Sequence, residues 1–218
     1  MLSTVGRFTA RIARIPQRRV ISTLPNNPHI NVFVSGSHNY ILSYLDTQPP
    51  SEKLAIGTCT VIPPAPRDFC ENPHFKAILE EVVSEYGHED ENVVSQARAL
   101  AGPGGLGLQW SSEQHGLSRK GGETGAGGAS AQGGAGGGGR KGWVHLSDER
   151  NPPDFGRIAW PEDILGSVEV DEQGCVVGRV QPSGTYRLLT NEGILGLSSF
   201  LREKLVERLK KEEVGDKA

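Results

Sequence analysis

Trp143-Val-His-Leu-Ser-Asp-Glu-Arg-Asn-Pro-Pro-Asp-Phe-Gly-Arg-Ile-Ala-Trp-Pro-Glu-Asp-Ile-Leu-Gly166 is the stretch whose reading decides the fold. It is the densest run of aromatic, charged and turn-forming residues in the chain. Trp143–Leu146 predicts a short strand, Ser147–Arg150 a charged turn, and Asn151-Pro-Pro153 an extended segment. Asp154-Phe-Gly156 predicts another turn. In Trp160–Gly166 a proline stands at the start, acids in the first turn and a glycine just past the end. That pattern predicts one helical turn. Trp143, Phe155, Ile158 and Trp160 are the large apolar groups here, so the stretch is expected to join two halves of a domain. Both tryptophans should then be buried, with Asp148 and Arg157 in hydrogen bonds nearby.

Downstream, Val168 and Val170 alternate with Glu169, and Asp171-Glu-Gln-Gly174 is a hairpin turn with a glycine suited to a left-handed residue. Cys175–Val180, Tyr186–Thr190 and Ile194–Leu197 continue the pattern, separated by turns at Pro182–Gly184 and Asn191–Gly193. The prediction is an antiparallel meander. A terminal helix follows, capped by Ser198 or Ser199. Leu201, Leu205, Val206 and Leu209 face inward, and Glu207–Lys211 forms an i,i+4 pair.

Upstream, Ile30–Val34 is β-rich and predicts a strand. Asn39–Leu45 carries Tyr40, Ile41, Tyr44 and Leu45 at helical spacing, and Leu54–Ile62 predicts a second strand. A helix between two strands suggests a parallel pair with a right-handed crossover. Asn72 and Pro73 can cap and open a helix whose apolar face is Phe75, Ile78, Leu79, Val82, Val83 and Tyr86. Another helix, from Asp90 or Glu91, carries Val93, Val94, Ala97, Leu100 and Ala101.

Between these blocks lies a segment holding more than half of the 29 glycines. Such a segment buries too little apolar area to offset the entropy of ordering its backbone. Residues 102–141 are therefore expected to be a disordered insertion. Gly102-Pro-Gly104-Gly-Leu-Gly107 has the spacing of a dinucleotide fingerprint, but it follows a helix and opens none. Gly134–Gly139 has phosphate-loop spacing, yet Arg140 replaces the lysine and no Ser or Thr follows.

The fold class expected is α+β: a single domain with an antiparallel meander, packed helices and a long disordered Gly-rich insertion. Its parts are 1–21 as a presequence, 24–101 as the N-terminal half, 102–141 as the insertion and 142–213 as the C-terminal half. Residues 1–21 contain Arg7, Arg11, Arg14, Arg18 and Arg19 and no acid. Val5, Phe8, Ile12 and Ile15 form an apolar stripe beside the arginines. This is the pattern of a mitochondrial presequence, with processing expected before Ser22. The rest of the chain is acidic. Taking five from the 23 basic residues leaves 18 against 26 acids, a net charge of −8. That balance argues against a broad nucleic-acid surface. No apolar run has the length of a transmembrane segment.

The candidate catalytic groups are His145, Asp148, Arg150, Asp154 and Arg157, with Glu149, Glu162 and Asp163 among them. Each also has a structural role open to it: acids suit turns and helix starts, and arginines can pair with them. Cys59, Cys70 and Cys175 are too widely spaced for a disulfide framework. With His74 they match no zinc spacing, so no metal and no cofactor are expected. His29 and His38 flank the first strand and read as ordinary polar residues.

Three blocks resemble an uncharacterised family of fungal mitochondrial proteins. They are Asn26-Asn-Pro-His-Ile30 with Leu54-Ala-Ile-Gly-Thr58; Phe69-Cys-Glu-Asn-Pro-His-Phe75; and Trp143–Leu209. In the last block the specific runs are Ser147–Ile158 and Gln181-Pro-Ser-Gly-Thr-Tyr-Arg187. The resemblance implies a mitochondrial location and brings no established activity. The expectation is a non-catalytic accessory or interaction protein of the mitochondrial matrix, with protein partners. The alternative is an enzyme or small-ligand-binding protein using the polar cluster at 145–163.

Overall fold

The computed structural model describes residues 20–36, 39–101, 141–154 and 157–216. The expected insertion, most of the arginine-rich segment, His38 and Phe155 lie outside the described residues.

Five strands form an antiparallel sheet in chain order: Val20–Leu24 (β1), Asn27–Val34 (β2), Tyr40–Ser43 (β3), Gly57–Cys59 (β4) and Phe69–Glu71 (β5). The first two residues of β1, Val20 and Ile21, fall within the expected presequence. The helix expected over Asn39–Leu45 is instead strand β3, paired with β2 in the register Phe33↔Ile41 and Asn31↔Ser43. Residues 35–39 connect the two, too few for a parallel crossover. Gly36 turns the chain there at φ +85, and Ser35 N–H donates to Asn39 O at 2.7 Å.

The helical reading failed because β3 is buried on both faces. Leu42 and Tyr44 face the main core, while Ile41 packs with Phe33 and Ala55 on the other side. A doubly buried strand loses the alternation by which strands are recognised. The second expected strand also shortens, to Gly57–Cys59. Its close approach to β5 needs glycine, since a Cβ on Gly57 would stand 2.4 Å from Cys70 O.

Helix α1 (Pro73–Tyr86) starts where its cap predicts. Asn72 Oδ1 accepts from His74 N at 3.0 Å, and its amide donates to Lys53 O and Ala55 O, both at 2.7 Å. Helix α2 (Glu91–Ala101) follows, its start capped by buried Asp90 through Asn92 N. A second antiparallel sheet then runs β6 (Gly142–Ser147), β7 (Ile164–Val170) and β8 (Val176–Pro182), entered through a 3-10 turn at Pro161–Asp163. Asp171 Oδ1 closes the β7–β8 turn on Gln173 N and Cys175 N, with Gly174 at φ +80. The meander ends at β8. Leu189–Thr190 (β9) and Gly193–Ile194 (β10) form a separate small hairpin. Helix α3 (Ser199–Asp216) is capped by Ser198 Oγ on Leu201 N and buries Leu201, Leu205 and Leu209.

One continuous core joins the two sheets and the three helices. Polar ties cross between the halves as well: Asn27 to Leu195 O, Thr47 to Glu213, Lys53 to Asp216, and Ser198 to Asp90. The two tryptophans of the 143–166 stretch take no such part. Trp143 is 51% and Trp160 71% exposed, against the expected burial. In β6 the inward positions are Val144 and Leu146, so Trp143 must point outward.

Candidate functional site

The polar cluster resolves into a buried knot and several separate groups. Asp148 follows β6, Asp163 ends the 3-10 turn, and Arg150 reaches between them. Arg150 Nε donates to Asp163 Oδ1 at 2.7 Å and stands 3.7 Å from Asp148 Oδ2. Nη1 donates to Leu188 O and Gly193 O, at 3.2 and 3.4 Å. Nη2 donates to Glu162 O and Arg187 O, both at 2.9 Å. All five donors of the guanidinium are thus matched, and its side chain is 3% exposed. The guanidinium also lies over the Tyr186 ring, 5.4 Å from its centre.

Asp148 is wholly buried and similarly engaged. Its Oδ1 accepts from Arg150 N and Gly196 N, both at 2.8 Å, and its Oδ2 from the Tyr186 hydroxyl at 2.7 Å. Burial raises the Asp148 pKa. Arg150, the Tyr186 hydroxyl and the two backbone N–H groups oppose that rise without cancelling it. Tyr186 is pushed well above the ordinary phenol value, first by burial and then by the Asp148 charge. Asn151 Nδ2 completes the knot on Asp163 Oδ2 at 3.3 Å. Two groups from the N-terminal half brace its far side. Leu188 N donates to Glu71 Oε1, and Lys76 Nζ donates to Tyr186 O, both at 2.9 Å.

Of the five candidates, then, Asp148 and Arg150 come together. His145 does not join them. It sits on the opposite face of β6 from Val144 and Leu146, its Nδ1 2.7 Å from Ser167 Oγ, and burial lowers its pKa. Asp154 and Arg157 are exposed, linked by the turn bond from Arg157 N to Asp154 O at 2.9 Å. Asp163, whose place after Pro161 suits a helix start, joins the knot together with Tyr186, Glu71 and Lys76. Nothing in their local sequence marks them, because the knot is assembled from segments far apart in the chain.

The thiols are free: Cys59 is buried, Cys70 and Cys175 exposed. Burial pushes the Cys59 thiol up to about 11. Among the described residues no group of three or more His, Cys, Asp or Glu is placed to hold a metal. No described helix is long and apolar enough to cross a membrane.

The open space lies elsewhere, in a groove of about 390 Å³ between α3 and the first sheet. Its lining is His29, Tyr44, Arg202, Glu203, Val206, Glu207 and Lys210. The α3 residues at 203, 206, 207 and 210 share one helix face. Tyr44 stacks on Phe75 in the core, with ring centres 6.3 Å apart, and its buried hydroxyl has no hydrogen-bond partner among the described residues. Comparison with protein-family models, curated proteins and solved structures gives no match to this chain.

Proposed function

We propose that the protein is a non-catalytic accessory or interaction protein of the mitochondrial matrix, acting through a protein partner. One observation carries the reading. The polar cluster that offered the best catalytic candidates is taken up in holding the fold, with every Arg150 donor and both Asp148 oxygens engaged. An enzyme built on residues 145–163 would need one of those groups free to reach a substrate.

The two tryptophans of the same stretch face solvent instead. Trp143 and Val177 flank Glu169 in one cross-strand row on the outer face of the second sheet, and both are about half exposed. Tryptophan is enriched among the residues that dominate binding energy at protein interfaces. The acid-free arginine segment and the resemblance to the fungal mitochondrial family support the location.

The test is a photo-crosslinking residue at position 143 in the intact chain, expressed in mitochondria. It should give a discrete protein adduct, and the same residue at exposed Val214 on α3 should give none. Identical adduct patterns from both positions would refute a partner at this face. The import reading is checked by N-terminal sequencing, which should find Ser22 or a neighbour as the mature terminus. Such a cut leaves the Ser22↔Val32 and Thr23↔Asn31 pairs of β1 in place.

A further inference from the structure

We infer that the groove between α3 and the first sheet binds a small organic acid, its carboxylate held by Arg202 and Tyr44 and its apolar body lying along Val206. Tyr44 is 7% exposed, and its oxygen is buried without a hydrogen-bond partner among the described residues. A buried hydroxyl left unmatched costs about 1–3 kcal/mol, so most such groups in folded proteins are paired. Asn27 is the neighbour best placed to help, but its amide donates to Leu195 O at 3.0 Å and its Oδ1 accepts from His29 N at 3.2 Å. Nothing among the described residues meets hydrogen-bonding geometry with the Tyr44 hydroxyl. Burial, reinforced by the Asp148 charge and only partly opposed by Arg202 and Asn27, keeps the phenol protonated and thus a donor.

The charges around it select an acceptor that is an anion. Arg202 makes one hydrogen bond among the described residues, from Nη1 to Leu197 O at 3.4 Å, which leaves most of its planar fork for a carboxylate. Lys210 stands at the rim of the same groove. Of the two acids in the lining, Glu207 is paired with Lys211 at 2.9 Å. Glu203 in the lining and the buried Asp148 charge that reaches Tyr44 both oppose an anion and limit affinity. The Tyr44 oxygen is out of solvent's reach, so the ligand meets it when a wall side chain moves. Within the lining, Arg202 is the group whose charge bears on Tyr44, and its single long bond lets it swing.

Val206 is the aliphatic side chain of the lining, which also holds His29. Half-buried Val206 and the methylene stems of Arg202 and Lys210 offer a surface for a hydrocarbon body. The volume falls within the usual range for small-molecule sites. A medium-chain monocarboxylate meets all three conditions: charge, acceptor and apolar length.

Octanoate is the probe, titrated into the full chain by calorimetry with octanol and octylamine as controls. Saturable octanoate binding at micromolar to millimolar concentrations is expected, with neither control binding comparably. Arg202→Gln should weaken it roughly tenfold or more and Tyr44→Phe severalfold, while Glu203→Gln should tighten it. Tyr44→Phe should melt at or above the wild-type temperature, because it removes an unmatched hydroxyl. Four results would each overturn the inference: no saturable octanoate binding, equal binding of octylamine or octanol, octanoate affinity unchanged in both weakening variants, or a melting temperature for Tyr44→Phe several degrees below wild type. The last would mean that the fold itself uses the hydroxyl.

Discussion

Tyr186 and Tyr44 are both buried phenols beside an arginine, and they sit in opposite situations. The Tyr186 hydroxyl donates to Asp148 at 2.7 Å, and Arg150 beside it has every donor matched. Among the described residues the Tyr44 hydroxyl has no partner, and Arg202 beside it holds one long bond. Burial is the first cause of the raised pKa at both phenols, so burial alone does not separate them. What separates them is satisfaction. A buried polar group whose bonds are all made within the chain serves the fold. One that is left open in the wall of a groove is available to something else.

The largest effect is expected at the centre of the closed knot. Arg150→Ala would leave Asp148 and Asp163 buried with no countercharge from that arginine. Breaking a buried pair from one side costs about 3–5 kcal/mol, and urea denaturation should show a loss of that size. Arg150→Lys should recover only part of it, since an ammonium cannot reproduce five forked donors. A loss under 1 kcal/mol, of the order of an exposed ion pair, would show that the knot does not hold the fold.

High pH should unfold the protein through both tyrosines. Their folded pKa values lie above the ordinary phenol value near 10. A phenol of this kind stabilises fully below its unfolded pKa, and that contribution is lost as pH rises from there towards the folded pKa. Tyrosinate absorbance and circular dichroism should therefore change together above pH 10. In a Tyr40→Phe, Tyr86→Phe background, which leaves these two phenols as the tyrosines, gradual ionisation ahead of unfolding would contradict the burial of their rings.

The sharpest comparison is one chemical change made at two places. Tyr186→Phe strips a donor from Asp148 Oδ2 and should cost about 1–3 kcal/mol. Tyr44→Phe should be neutral or slightly stabilising. Equal losses in paired thermal melts would erase the distinction drawn between the two sites. The smallest effect is expected at Trp160, whose exposure makes Trp160→Ala a surface change of within about 0.5 kcal/mol. The same substitution in a core would cost about 3–5 kcal/mol, so a single melt shows whether this tryptophan packs.

Several elements were legible in the chain because their causes are local. Asn72 and Pro73 announce α1, Ser198 announces α3, and Asp171 with Gly174 sets the β7–β8 turn, each through bonds spanning a few residues. The leucines of α3 at 201, 205 and 209 state their buried face by spacing alone. The α+β class follows from these elements.

What tertiary structure alone decided depends on distant partners. Whether 39–45 forms a helix or a strand turned on Phe33 and Ala55 covering Ile41 from behind. Whether the polar atoms of Asp148 and Arg150 were matched within the fold turned on Tyr186, Gly196 and Leu188, which are 38 to 48 residues away in the chain. The groove was beyond sequence reading for the same reason, since His29, Tyr44 and Arg202 come from three separate stretches of the chain. Local signals encode backbone geometry, because caps and periodicity act over a turn or two. The matching of a buried polar group is a property of the folded surroundings, and only the packed chain determines which of its donors are left over.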